Sequence, residues 1–329
     1  MAALFDVVGI GNAIVDVIAQ TTDAFLSDND LIKSGMRLIE ADEAESLYAK
    51  MAPGLEMSGG SAGNTMAGLA GLGGKGAFIG KVADDQLGKV YRHDMRSAGV
   101  VFDTPDLTDG TPTGRCLILV TPDAHRTMNT FLGACVVLTP DDVDAATIEA
   151  SQVTYLEGYL WDRPAAKEAF LKAARLAHGA GRKVSLSLSD AFCVNRHRDS
   201  FLDLVSGHVD VLFANESEIT ALYQTGFDQA LAAVKTHCEV AVLTRGEHGA
   251  VVLAGERVVT IPAEPVAQVV DTTGAGDLFA AGFLRGFTSG RDLADCARMG
   301  AICAGEIIGQ YGPRSQVDLT ALVAGKMGR

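Results

Sequence analysis

Apolar positions along this chain follow two rhythms that alternate. Short β-branched runs bounded by glycine predict buried strands at Phe5–Ile10, Ile14–Ile18 and Ala77–Val82, and the 3.6-residue spacing predicts helices over 41–51, 61–72 and 85–98. From residue 151 the alternation is regular. Strands are expected at Val153–Glu157, Lys183–Leu188 and Asp210–Phe213, with a helix over 164–179 and further helix between and after the later strands. Val240–Thr244, Ala250–Leu253 and Arg257–Ile261 read as three consecutive strands, followed by helices near 275–288 and 291–308. Such repetition implies an α/β fold with a mainly parallel central sheet covered on both faces. One region departs from it. Thr113–Val120 and His125–Leu132 flank Thr121-Pro122-Asp123-Ala124, a turn by its Pro-Asp chemistry, and so predict an antiparallel hairpin. With the strands near 14–40 this hairpin should form a small sheet projecting as a lid. No internal repeat and no Pro/Ser-rich linker divides the chain. It reads as one domain over 1–329, with the lid inserted at roughly 13–58 and 101–132.

Charge and composition narrow the classes of partner. Lys+Arg number 27 against 41 Asp+Glu, a net charge of −14 with no basic run, which argues against a nucleic-acid or anionic-membrane partner. Hydrophobic residues make up 48%, enough for a sizeable core. The opening Met1-Ala2-Ala3-Leu4-Phe5-Asp6 has no basic region, so no signal peptide is expected, and no apolar window is long enough to span a membrane. Cys116, Cys135, Cys193, Cys238, Cys296 and Cys303 are scattered without a CxxC pair and read as reduced thiols of a cytoplasmic protein.

The richest candidate chemistry is Asp271-Thr272-Thr273-Gly274-Ala275-Gly276-Asp277, which runs straight into an apolar helical segment. Gly274, Ala275 and Gly276 carry almost no side chain, so their backbone N–H groups at a helix N-terminus suit an anion. Asp277 is then either an ordinary first-turn acid or a base facing a phosphate across a hydroxyl substrate. No Walker A sequence competes, because each Gly-Lys pair lacks both the first glycine and the following Ser/Thr. Gly9-Ile10-Gly11 is only a fragment of a dinucleotide turn. Gly59-Gly60-Ser61-Ala62-Gly63 satisfies the GxSxG pattern of serine hydrolases, with Ser61 as nucleophile, but Pro53–Met57 is a poor strand to precede it. Gly59 and Gly60 followed by Asn64, together with Asn12 and Asp16, make a better set for gripping vicinal hydroxyls: amide donors, a carboxylate acceptor and close backbone.

These segments resemble the two signatures of the ribokinase-like (PfkB) carbohydrate and nucleoside kinases. Gly59-Gly60-x-x-x-Asn64 with Gly80-Lys81-Val82-Ala83-Asp84-Asp85-x-x-Gly88 is similar to the first, and Asp271–Asp277 to the second. Asn215-Glu216-Ser217-Glu218 is similar to the family's Asn-x-x-Glu motif, and Thr244-Arg245-Gly246 stands at its nucleotide loop. Within the family the resemblance is nearest to the adenosine kinases. It is carried by Gly11–Asp16, Pro112-Thr113-Gly114, Arg126, Ser187-Leu188-Ser189 with Phe192, and Val209–Glu216. Thr273 stands where those enzymes commonly have Asn and where sugar kinases often have Thr, which keeps a free sugar or another nucleoside as the alternative acceptor.

The resemblance implies a three-layer ribokinase-like fold and transfer of the ATP γ-phosphoryl group to the 5′-hydroxyl of a nucleoside. It makes Asp277 the general base, the Gly274–Gly276 backbone the anion hole and Arg126 a mobile cation brought over the phosphate by the lid. Asn12, Asp16, Gly59, Gly60 and Asn64 would bind ribose, and Ile14, Tyr159 and Phe192 would form an apolar slot for the base. Asn215, Thr244 and Gly246 would contact ATP, Asn215 and Glu218 would organise Mg²⁺ through waters, and Asp271 with Thr273 would help to hold a monovalent cation such as K⁺. The expected assembly is a monomer or homodimer.

Overall fold

A computed structural model describes residues 3–123 and 125–328; Ala124 of the expected hairpin turn and Met1-Ala2 of the expected leaderless start lie outside them. Among the described residues thirteen strands form two sheets. In chain order they are β1 Phe5–Ile10, β2 Ile14–Gln20, β3 Met36–Leu38, β4 Leu55–Ser58, β5 Gly76–Ile79, β6 Gly114–Val120, β7 Arg126–Phe131, β8 Ser151–Glu157, β9 Lys183–Ser187, β10 Val211–Asn215, β11 Val240–Thr244, β12 Ala250–Ala254 and β13 Arg257–Ile261. The large sheet has the order β13-β12-β11-β10-β9-β8-β1-β5 and is parallel from β11 to β5. The last two strands turn antiparallel at one edge. Successive residues of a strand feed opposite layers, as the two-residue period requires. Val7 of β1 and Val211 and Phe213 of β10 join one core, whereas Val8, Ile10, Leu212 and Ala214 join the other. The first core is closed by the helices Ser61–Gly71, Ala275–Thr288 and Leu293–Ile307, the second chiefly by Pro164–Gly179 and Ala191–His208.

The small sheet has the order β3-β7-β6-β2-β4. The hairpin β6–β7 is antiparallel as expected, with Val120 opposite Arg126, and β2 runs parallel to β6. Three elements of this part of the chain escaped the periodicity, as did the helices Ala145–Glu149 and Leu319–Lys326 elsewhere. The helix Asp23–Asp28 is a single short turn capped by Thr22, β3 has only three residues, and β4 occupies the stretch read as a poor strand. That last expectation is corrected: β4 pairs antiparallel with β2 at the edge of the small sheet, where Leu55 is exposed and one-sided burial suffices. All six cysteines are free; five are buried and Cys238 is partly so. Among the described residues no helix is long and apolar enough to cross a membrane.

Candidate active site

Gly11-Asn12 after β1, Glu157 ending β8, Ser187 ending β9, Asn215 ending β10 and Thr244 ending β11 all lie at the carboxyl ends of the parallel strands. That is where a twisted parallel sheet opens a crevice. A cavity of about 990 Å³ occupies this end, lined from the large sheet by Asn12, Glu157, Asn215 and Thr244 and from the small sheet by Ile14, Met36, Leu38, Ile118, Met128 and Leu132.

The loop 272–277 forms its floor. Gly274 caps the helix Ala275–Thr288 in the left-handed conformation (φ 78°), and a Cβ there would lie 2.8 Å from Cβ of Pro313. Gly276 faces open space. Among the described residues the N–H groups of Gly276 and Asp277 find no protein acceptor, as the first turn of a helix dictates. The Ala275 N–H is already donated to Thr272 O at 3.2 Å, so one of the three expected anion donors is taken in this conformation.

Asp277 lies beside those donors. Ser61 Oγ donates to its Oδ1 at 2.6 Å and Asn64 Nδ2 to its Oδ2 at 3.0 Å. Burial raises its pKa to about 6, against the lowering effect of Ser61, Asn64 and the Arg314 guanidinium. Ser61 is therefore a donor to a carboxylate, no histidine among the described residues is bonded to it, and the hydrolase arrangement is not formed there.

The hydroxyl-gripping residues converge as the sequence suggests. Gly60, at φ 80°, admits no Cβ because Asn12 O would lie 2.1 Å from it, and a Cβ on Gly59 would meet the Asp16 carboxyl at 2.5 Å. Asp16 is buried, and this raises its pKa to about 6 despite Arg126 and Arg314. Two residues of this network were missed. Glu157 accepts from the Asn12 side-chain amide at 2.8 Å, the Asn12 N–H at 3.3 Å and the Ala62 N–H at 2.8 Å. Its burial raises its pKa to about 7. Arg314 donates to Ser58 O at 2.8 Å and Gly63 O at 3.2 Å, placing a positive charge behind Asp16 and Asp277. Because Nδ2 of Asn12 and Nδ2 of Asn64 are held by carboxylates, both amide oxygens are left buried without a partner.

Asn215 and Glu218 also line the cavity, and they cap each other. Glu218 accepts from the Asn215 N–H at 2.9 Å and its Nδ2 at 2.6 Å, while Asn215 Oδ1 accepts from the Glu218 N–H at 2.9 Å. This capping box starts the helix Glu216–Tyr223, so the Asn-x-x-Glu spacing has a local structural cause. Glu218 is nonetheless buried, with its pKa raised to about 7 by burial, and no cationic side chain pairs with it among the described residues. Thr244 and Gly246 also line the cavity, and Gly246, at φ 56°, is open on its Cβ side.

Arg126 is placed differently from expectation. Its guanidinium forms a buried ion pair with Asp271 and donates to Thr273 Oγ1 at 3.0 Å, so it is anchored below the loop and does not overhang the cavity. Tyr159 and Phe192 do line the cavity. Phe192 is 68% exposed, with the Arg196 guanidinium 4.7 Å from its ring centre, and Ile14 lies on the small-sheet side.

An adenosine kinase structure from Sinorhizobium meliloti is 53% identical to the chain, with a TM-score of 0.91 over 99% of this chain and 100% of that one. A probable sugar kinase from Rhizobium etli CFN 42 is 52% identical, with a TM-score of 0.91 over 99% of each chain. The adenosine kinase of Saccharomyces cerevisiae is 28% identical over 327 residues, 92% of this chain and 95% of its own length. The model of the pfkB family carbohydrate kinases matches residues 34–319, and the chain belongs to that family, as an ATP-dependent nucleoside or sugar kinase.

Proposed function

We propose that the protein transfers the γ-phosphoryl group of ATP to the 5′-hydroxyl of adenosine, with Asp277 as general base and the Gly274–Gly276 backbone as anion hole. The observation that carries the chemistry is the adjacency of Asp277 to the unpaired N–H groups of its own helix N-terminus on one cavity floor. A carboxylate with a pKa of about 6 is ionised at neutral pH and still basic enough to take the proton of an attacking hydroxyl. Ser61 and Asn64 hold it in one orientation. The free N–H groups meet the charge that builds on the phosphoryl oxygens, and need no reorganisation as it develops.

The acceptor is read from the opposite wall. Asp16 and the orphaned oxygens of Asn12 and Asn64 are all acceptors, a set that calls for several O–H donors, as the ribose hydroxyls supply. Next to them Ile14, Met36, Leu38, Ile118, Met128 and Leu132 make an apolar wall larger than a free sugar needs, and Tyr159 and Phe192 add aromatic surface. A nucleobase fills such a slot. The small sheet that supplies this wall acts as a lid, excluding water from the phosphoryl group. Thr273, the residue that favoured a sugar, donates its hydroxyl to Asp271 at 2.7 Å and accepts from Arg126, a role within the loop that does not itself call for a sugar.

Glu218, a buried carboxylate without a cationic partner, fits the role of holding waters of Mg²⁺, which keeps most of its hydration. When bound with ATP, the ion supplies charge neutralisation at the phosphates; Asn215 positions Glu218. The test is Mg·ATP turnover against adenosine, other nucleosides, ribose and fructose, with Asp277→Asn alongside. Adenosine should give the highest kcat/KM, and Asp277→Asn should lose at least ~10²-fold in kcat. Preference for a free sugar would replace the acceptor but keep the kinase; an active Asp277→Asn would remove the proposed base.

A further inference from the structure

Asp271 has no lone pair left for a metal ion. Its Oδ1 accepts from the Thr273 N–H at 3.0 Å and from the Thr273 hydroxyl at 2.7 Å. Its Oδ2 accepts from the Gly312 N–H at 3.0 Å and from Arg126 Nη1. Four donors meet the roughly four acceptor sites of a carboxylate. Thr273 Oγ1, the other atom expected to face a monovalent cation, also accepts from Arg126 Nη1, at 3.0 Å. The donor set that the family resemblance assigns to K⁺ is therefore turned toward a guanidinium.

We propose that Arg126 is the built-in cation of the 271–277 loop, taking the place of a monovalent metal ion beneath the anion hole, so that this enzyme needs no K⁺. Arg126 opens β7 of the small sheet, Asp271 opens the loop, and Gly312 lies in the turn whose next residue, Pro313, packs against Gly274. A single positive charge thus ties the small sheet, the loop and the C-terminal turn together. A metal ion placed there would face the Arg126 charge, and would have to displace a pair whose side chains are only 9% and 7% exposed. Removing either partner from such a pair leaves an uncompensated buried charge. Arg126 is a positioning residue in this arrangement, acting on phosphoryl transfer through the shape of the loop.

The experiment compares KCl with choline chloride at equal ionic strength, reading both the melting temperature of the substrate-free protein and steady-state turnover. Wild type should melt and turn over alike in the two salts. Arg126→Ala should be less stable and several-fold slower in choline, and K⁺ should recover part of both. Arg126→Gln, a shorter neutral side chain that keeps its stem to Cδ and a polar end, serves if the alanine variant does not fold, and the wild-type comparison decides without either. A several-fold activation or a clear melting shift of wild type by K⁺ would overturn the inference. So would a folded Arg126 variant that K⁺ leaves unchanged. Melting needs no substrate, so its outcome is independent of whether adenosine is the acceptor.

Discussion

The Ser61 hydroxyl donates to the Asp277 carboxylate at 2.6 Å across 216 residues of chain, making the residue that mimics a hydrolase nucleophile a support for the proposed base. A donor to the ionised form lowers a pKa, so losing it raises one. Wild-type kcat/KM should fall on the acid side below about pH 6, as Asp277 takes up a proton. In Ser61→Ala that limb should move to higher pH. Asp16, also near 6, contributes to the same limb but is not bonded to Ser61, so the shift belongs to Asp277. The pH profile of kcat/KM for the two proteins is the measurement; an unmoved limb would detach Ser61 from the base.

The glycines of the loop separate fold from chemistry. Gly274 is left-handed and touches Pro313, so Gly274→Ala should destabilise the protein by about 1–2 kcal/mol from the backbone alone. Gly276 is helical with open space at its Cβ. Gly276→Ala should leave thermal stability unchanged or raise it by about 0.4–1 kcal/mol. It should nevertheless lower kcat by about 10²-fold if this backbone is the anion hole, because the methyl group would stand in the path of the phosphoryl oxygens to the N–H groups. Melting curves and steady-state kinetics on both variants check the contrast.

How much of this was legible in the sequence depends on the range of the interaction. β1, β8 and β11 were readable because buried parallel strands need unbroken β-branched runs, and the 271–277 loop because glycine is needed where backbone must turn or be approached. Asn12, Gly60 and Asn64 could be grouped because each sits beside a turn or helix start. Glu157 could not: its partners Asn12 and Ala62 are 145 and 95 residues away, and a strand-end glutamate carries no local sign of three converging donors. Arg314 was hidden likewise, its acceptors Ser58 and Gly63 lying more than 250 residues upstream. Asn215 and Glu218 show the converse, a motif suggestive of metal that first of all starts a helix.

Glu157 gives a test of that hidden network. Glu157→Gln keeps the shape but offers one acceptor oxygen to donors that now engage two, leaving at least one buried N–H unpaired. A loss of about 1–3 kcal/mol is expected, with KM for the acceptor raised as the Asn12 amide is released. The pH dependence has a definite sign. The folded-state pKa of about 7 lies above the ordinary 4.5, so between those values the folded protein keeps a proton that the unfolded chain has lost. The Glu157 contribution to stability is therefore largest below about pH 4.5 and declines as pH rises toward 7. Denaturation midpoints across this window should show a smaller decline in the variant than in wild type.

The exposed ring of Phe192 carries the last prediction. A side chain 68% exposed contributes little to folding, and Arg196 already covers one side of it at 4.7 Å. If Phe192 stacks on a nucleobase, Phe192→Ala should raise KM for adenosine by up to about tenfold, the equivalent of the 0.5–1.5 kcal/mol that an aromatic pair supplies. The kcat should hold, because the role proposed for the ring is binding and not proton transfer, and the melting temperature should stay close to wild type. The kcat/KM for ribose serves as the control, since a free sugar carries no base for the ring to stack on. An equal loss on both acceptors would point to a distorted pocket and not to lost stacking. An unchanged KM for adenosine would take the nucleobase away from this wall and leave the small-sheet side chains Ile14, Met36 and Leu38 as the surface that reads it.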